Sequence, residues 1–231
     1  MQDTAIVDKI KQMVEDSGIN DNEFYRTFKK EPLPLETVKE VFQQYYLYIR
    51  TFPQILSGLA PRVDDELIRL KLSRTVVSEL GDGRGDPHYV MFEKALAGIG
   101  VELEDYRTVE HEPEAEALVA SLRRLFLEES PNYAIGAHYV IEEFGFPMIV
   151  NLYEGFRLYS GWEHEDYNYF YLHILIEANH VDWIQEALLA AATDDASREE
   201  LIKGASEVLD ALNAFWAGLN RIATRQPVGA L

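Results

Sequence analysis

Apolar residues in this chain recur at intervals of three and four, and strict alternation of apolar and polar positions is nearly absent. That period belongs to helices with one buried face, so the chain reads as all-helical. Helix starts are well marked. Pro34 precedes LETVKEVFQQYYLYIRTF, where apolar positions keep helical spacing. Asp86-Pro87 and Ser130-Pro131 each read as an N-cap followed by proline at the first helical position, and Glu112-Pro113 opens a more acidic example. The pattern predicts helices near 3–16, 34–58, 63–80, 87–98, 113–128, 131–159, 166–192 and 197–224. Inside 131–159, Pro147 follows Gly145 closely and predicts a kink or a break. GDGRGDPH, residues 81–88, reads as a glycine-rich interruption; it lacks the Gly-Lys-Ser/Thr ending of a phosphate loop. No internal repeat or composition shift divides the chain. The expectation is one helical bundle over 1–231, with a frayed tail from about residue 225.

Composition narrows the function. With 47% hydrophobic residues in 231, the chain can bury a full core. Its net charge is 21 − 40 = −19, which repels phosphate backbones and anionic lipid, so neither nucleic acid nor a membrane surface is an expected partner. There is no cysteine, which excludes disulfides, thiolate nucleophiles and cysteine-held iron–sulfur clusters. MQDTAIVDKIKQMVEDSG lacks the apolar core of a signal peptide, and no run of about 18 apolar residues occurs. A soluble, cytoplasmic protein is the expectation.

The candidate chemistry lies in HILIEANH, residues 173–180. His173, Glu177 and His180 fall within about 60° of one another on a helix. Metal-ligand side chains on an otherwise apolar stripe are costly unless something pairs with them, and a transition metal would. Glu142, in YVIEEFGFPMIV, is another candidate, because one of Glu142 and Glu143 must face the interior. An arginine such as Arg157, or helix hydrogen bonds, could equally satisfy it. Glu79, at the end of one helix, and His88, at the start of the next, can converge across the glycine-rich break. His138 shares a face with Glu142 and reads as a core or groove histidine or as a partner of a ligand. His111 and His164 read as solvated surface histidines. Carboxylates and imidazoles without thiolates favour iron or manganese over zinc. Glu-x-x-His occurs here as Glu177 to His180, without the second copy that a ferritin-like bundle carries.

These residues resemble the heme-oxygenase-like diiron oxidases and oxygenases. That family places a glutamate and a histidine around the end of its third long helix. A glutamate follows in a Gly-Ala-x-Tyr-Val-x-Glu stretch, and His-x-x-x-Asp/Glu-x-x-His comes late in the chain. Here Glu79 and His88 match the first pair, Glu142 ends GAHYVIE, and His173, Glu177 and His180 match the last motif. The resemblance covers roughly residues 35–220. Two departures stand out: the nine-residue spacing from Glu79 to His88, and His138 where the family is expected to be apolar.

The resemblance implies a seven-helix bundle of the heme-oxygenase type. It implies two Fe(II) ions held by Glu79, His88, Glu142, His173, Glu177 and His180, with Glu142 bridging, and O2 as co-substrate. Heme is not expected, because the first histidine is His88 and none lies in the first helix. The implied activity is oxidation of a small amino-acid- or fatty-acid-like substrate: N-oxygenation, oxidative decarboxylation or C–C scission, including nitrile formation. An external reductant and a homodimer are compatible partners. A self-sacrificing enzyme that oxidises its own tyrosine, or a non-enzymatic death-domain-type interaction protein, is the alternative. A substrate carboxylate would be met by Arg50, Arg62, Arg69, Arg74 or Arg157. The aromatics of 45–52, 144–156 and 167–171 read as core packing or as a pocket for a flat substrate.

Overall fold

A computed structural model describes residues 4–161 and 163–225; within these, the side chains of His164 and of residues 176–179 lie outside the description. Among the described residues there is no strand, and the α-helices are α1 (Ala5–Asp16), α2 (Glu23–Lys30), α3 (Leu35–Leu59), α4 (Glu66–Glu79), α5 (His88–Gly98), α6 (Pro113–Leu127), α7 (Pro131–Phe156), α8 (Asn168–Ala191) and α9 (Asp195–Thr224). α7 is the central element and packs on both α8 and α9; α3 packs on α6, and α4 on α8.

Eight of these helices fall where the apolar period places them. The additional one, α2, is eight residues long, too short for a periodic signal to stand out. Asn22 Oδ1 accepts from the Tyr25 amide at 3.0 Å to start it, and Lys29 and Lys30 complement its C-terminal dipole. Phe24, Tyr25 and Phe28 anchor it, with Phe24 and Tyr25 packed on Trp216 and Phe28 on Phe42.

Two expectations need correction. Of the kink or break expected at Pro147, the break does not occur, because α7 runs through it to Phe156. Proline removes one donor from the ladder, and α7 is wrapped by tertiary packing on several sides, which holds the helix together across the gap. Asp86 does not cap α5, whose N-cap position is Pro87; the Asp86 carboxylate pairs with Lys94 at 2.5 Å.

Glycine sets the approach of α7 to α9. A Cβ at Gly136 would lie 1.9 Å from the Leu201 carbonyl oxygen, and one at Gly204 would lie 2.0 Å from that of Tyr133. The two backbones therefore touch directly. This contact anchors α7 six residues before Glu142, so the carboxylate hangs from a rigidly held helix.

Candidate metal centre

α4 ends at Glu79, and the chain turns back sharply. Gly81 has φ +83°, and a Cβ there would meet the Asp86 carbonyl oxygen at 2.8 Å, so only glycine fits. Asp82 and Gly83 also have positive φ. This compact loop returns the chain so that His88, the first residue of α5, faces Glu79. His88 Nδ1 lies 3.2 Å from Glu79 Oε2 but off the line of a hydrogen bond. The nine-residue spacing is absorbed by the glycines.

α8 brings His173 to the same point. The His88 and His173 rings are 4.5 Å apart, and ligand atoms of Glu79, His88 and His173 lie within 4.8 Å of one another. His173 Nδ1 sits 2.6 Å from the Tyr169 carbonyl oxygen. A carbonyl can only accept, so Nδ1 carries the proton and Nε2 keeps its lone pair. Burial, with the neighbouring His88, pushes the His173 pKa down to about 4, so the ring is neutral near pH 7. Burial works to raise the Glu79 pKa, but contact with His88 and the nearby His173 and His180 more than reverse it, and the carboxylate stays ionised.

Two turns along α8, His180 faces Glu142 of α7. His180 Nδ1 is 3.4 Å from Glu142 Oε2, and His180 Nε2 is 3.0 Å from Ser78 Oγ. Ser78 adjoins Glu79, so the end of α4 touches both histidines of α8. The other Glu142 oxygen, Oε1, lies 2.8 Å from His138 Nε2. Burial works to raise the Glu142 pKa; the contacts with His138 and His180 overcome it and hold the carboxyl far below the usual range. Glu143 faces elsewhere, toward Tyr139 and Lys11. Glu142 is therefore the inward member of the pair, and its partners are histidines, not Arg157, which lies over the Tyr153 ring.

Glu79, His88, Glu142 and His173 line one cavity of about 600 Å³, its mouth included. Its other walls are Tyr45, Tyr48, Ile49, Phe52, Pro53, Tyr89, Ile141, Gly145, Met148 and Tyr169. Tyr45, Tyr48 and Phe52 of the first expected aromatic cluster and Tyr169 of the last reach the cavity, whereas the 144–156 stretch contributes only Gly145 and Met148; Phe144, Phe156 and Phe170 are wholly buried. None of the five candidate arginines lines it. Arg62 and Arg69 donate to main-chain carbonyls, Arg74 lies over Trp183, and Arg50 stacks on Tyr89 at 3.7 Å, backing the wall.

The donor set fits iron. It is buried and thiolate-free, and it combines ionised carboxylates with a neutral imidazole whose free nitrogen is defined. Against this geometry, the sequence profile of a family described as iron-containing redox enzymes matches residues 39–213. The chain belongs to that family. The enzyme is 28% identical over 199 residues to a 4-chloro-allylglycine synthase of Streptantibioticus cattleyicolor, covering 86% of this chain and 75% of the relative. It is 26% identical over 213 residues to a 4-aminobenzoate synthase of Chlamydia pneumoniae, covering 92% and 93%. Among solved structures it matches a CADD-like protein of unknown function from Nostoc punctiforme with a TM-score of 0.80, at 18% identity and 95% and 97% coverage. It also matches a domain of heme oxygenase-like fold from Shewanella denitrificans with a TM-score of 0.74, at 16% identity and 94% and 90% coverage. The enzyme thus has the heme-oxygenase-like fold, and it is an iron-containing oxidoreductase.

Of the expected ligands, the structure brings Glu79, His88 and His173 together at one end and Glu142 and His180 at the other. Glu177 lies on α8 between the two histidines, but its side chain is outside the described residues, as is that of His164. His111 is not a free surface ring: Nε2 lies 2.7 Å from the Tyr106 carbonyl oxygen and pins the loop before α6. The residues that sequence reasoning missed are Ser78 and Tyr169. Ser78 carries no spacing signal; Tyr169 acts through a carbonyl, which every residue has. Among the described residues no helix is long and apolar enough to cross a membrane.

Proposed function

We propose that the enzyme holds two Fe(II) ions and uses O2 to oxidise a small amino-acid- or fatty-acid-like substrate. The observation that carries this reading is that Glu79, His88 and His173 cluster within 4.8 Å and share one cavity lining with Glu142, which His180 faces. Glu79, His88 and His173 would hold one ion; Glu142 and His180, with Glu177 between the histidines in sequence, would hold the other. Bound iron supplies the electrons that activate O2. The chain's own residues do the rest. Tyr169 keeps His173 Nε2 free to ligate, and Ser78 and Glu142 set the plane of His180. The aromatic wall keeps water from the reacting atoms.

The cavity also bears on the substrate. Among the described residues its wall carries no lysine or arginine, so no basic side chain there pairs with a substrate carboxylate. What enters is an apolar or amine-bearing portion, met by tyrosine hydroxyls and the two glutamates. The synthases to which the chain is similar are named for products that carry an amino group and a carboxylate, in keeping with an amino-acid-like substrate. N-oxygenation, oxidative decarboxylation and C–C scission all suit this arrangement. A second reading, oxidation of the enzyme's own tyrosine, is favoured by one observation: Tyr169 packs on His173 at 4.3 Å between ring centres, and its hydroxyl is 3.4 Å from that of Tyr45.

Anaerobic Fe(II) titration of metal-free enzyme, followed by O2 exposure and stopped-flow absorbance, tests the proposal. Two Fe(II) per chain and a transient visible band, both lost in His173→Ala and His180→Ala, are expected. Absence of tight iron binding would overturn it. Turnover of amino acids or fatty acids beyond one equivalent supports the first reading; a single event with a mass change on Tyr45 or Tyr169 supports the second.

A further inference from the structure

His138 is wholly buried on α7, one turn before Glu142, with Phe52 and Phe126 around its ring at 5.8 and 6.2 Å between centres. Its Nε2 faces Glu142 Oε1 at 2.8 Å. An ionised carboxylate only accepts, so Nε2 carries the proton and donates. Nδ1 is then a buried lone pair, and it has no hydrogen-bond partner. Leaving such an atom unsatisfied is unfavourable, and an apolar side chain among these phenylalanines would avoid it. Packing alone therefore does not account for a histidine here; its bond to Glu142 does.

We infer that His138 is a positioning residue for the metal centre: it clamps Glu142 Oε1 and thereby turns Oε2 toward His180 and the iron. Because both residues ride on one turn of a helix anchored at Gly136, the clamp is rigid. An unclamped Glu142 is free to rotate about its side-chain bonds and to offer either oxygen, or both. With the clamp, one oxygen is committed and the carboxylate plane is set before metal arrives. Among the described residues His138 is not itself part of the cavity lining, and its hydrogen bond goes to Glu142, so it acts on the centre through Glu142.

This inference rests on the two-iron reading above, and the experiment separates them. Fe(II) is titrated anaerobically into metal-free wild type, His138→Leu and His138→Gln, and near-infrared circular dichroism follows each iron's ligand field. Melting curves of the metal-free proteins confirm the fold. Wild type is expected to bind two Fe(II). His138→Leu should bind one of them about 10- to 100-fold more weakly, the range seen when the partner of a metal ligand is lost. Its ligand-field bands should change for that iron alone. His138→Gln keeps a donor within reach of Oε1 and should recover most of the affinity. If His138→Leu does not fold, His138→Met is the second apolar variant, with the same expectation. Wild type that binds fewer than two Fe(II) overturns both readings. Wild-type affinity and bands in the apolar variant, or an equal loss in His138→Gln, overturn the role of His138 alone.

Discussion

Which imidazole nitrogen carries the proton decides what a histidine can bind, and at this centre a neighbour of fixed polarity makes that decision. The Tyr169 carbonyl makes it for His173, and the Glu142 carboxylate makes it for His138. A neutral buried His173 also leaves a thermodynamic trace. Its pKa is 6.5 unfolded and about 4 folded, so between these values the unfolded chain binds a proton that the folded chain refuses. Stability from this group is complete above pH 6.5 and falls as pH drops toward 4, by about 3 kcal/mol over the interval. Urea unfolding of metal-free enzyme across that range should show the slope, and His173→Gln should lack this part of it. An unchanged slope in the variant would mean that His173 titrates normally. Glu79 and Glu142 are depressed carboxylates, so their contribution is present above the usual carboxylate range and is lost at lower pH still. The candidates for this centre were legible from residue type and spacing: of the residues singled out, Glu79, His88, Glu142 and His173 line one cavity, and His180 faces Glu142. The contact of Ser78 with His180 was not, because a hydroxyl beside a ligand carries no spacing signal, and for His138 the sequence left a core histidine and a partner of a ligand as alternatives.

At the scale of elements, the centre depends on where α7 sits. Gly136 and Gly204 let the α7 and α9 backbones meet, and no flexible side chain stands there to yield. Gly204→Ala sets a methyl group against the Tyr133 carbonyl and should cost about 3 kcal/mol, the upper end for overpacking a tight contact. Chemical denaturation would measure it; a variant as stable as wild type would show that the helices can separate without loss. The long helices were readable because a repeat of three and four is sustained over several turns. α2 was not, because eight residues span barely two turns and owe their stability to Trp216 and Phe42, which are distant in sequence. At Pro147 local chemistry allows a kink or a break, and the helix continues through it, held by tertiary packing.

For the whole molecule, a net charge of −19 means that like charges repel over the folded surface. Salt shortens the reach of that repulsion. Raising NaCl from about 0.01 to 0.3 M should therefore stabilise metal-free enzyme by about 1 kcal/mol, or about 2–4 °C in Tm. A Tm that falls with salt would show that surface ion pairs such as Arg26 with Asp21 outweigh the repulsion. Taken alone, the sequence determined the helical class, most helix positions, the nitrogen and oxygen character of the centre and the residues able to form it. These are local properties: period, end signals and donor chemistry are carried by residues near one another in the chain. Only the tertiary structure decided which oxygen of Glu142 is held, that the glycine loop closes His88 onto Glu79, and that no arginine enters the cavity. Those outcomes depend on pairs separated by many residues, and their distances are set by how the helices pack.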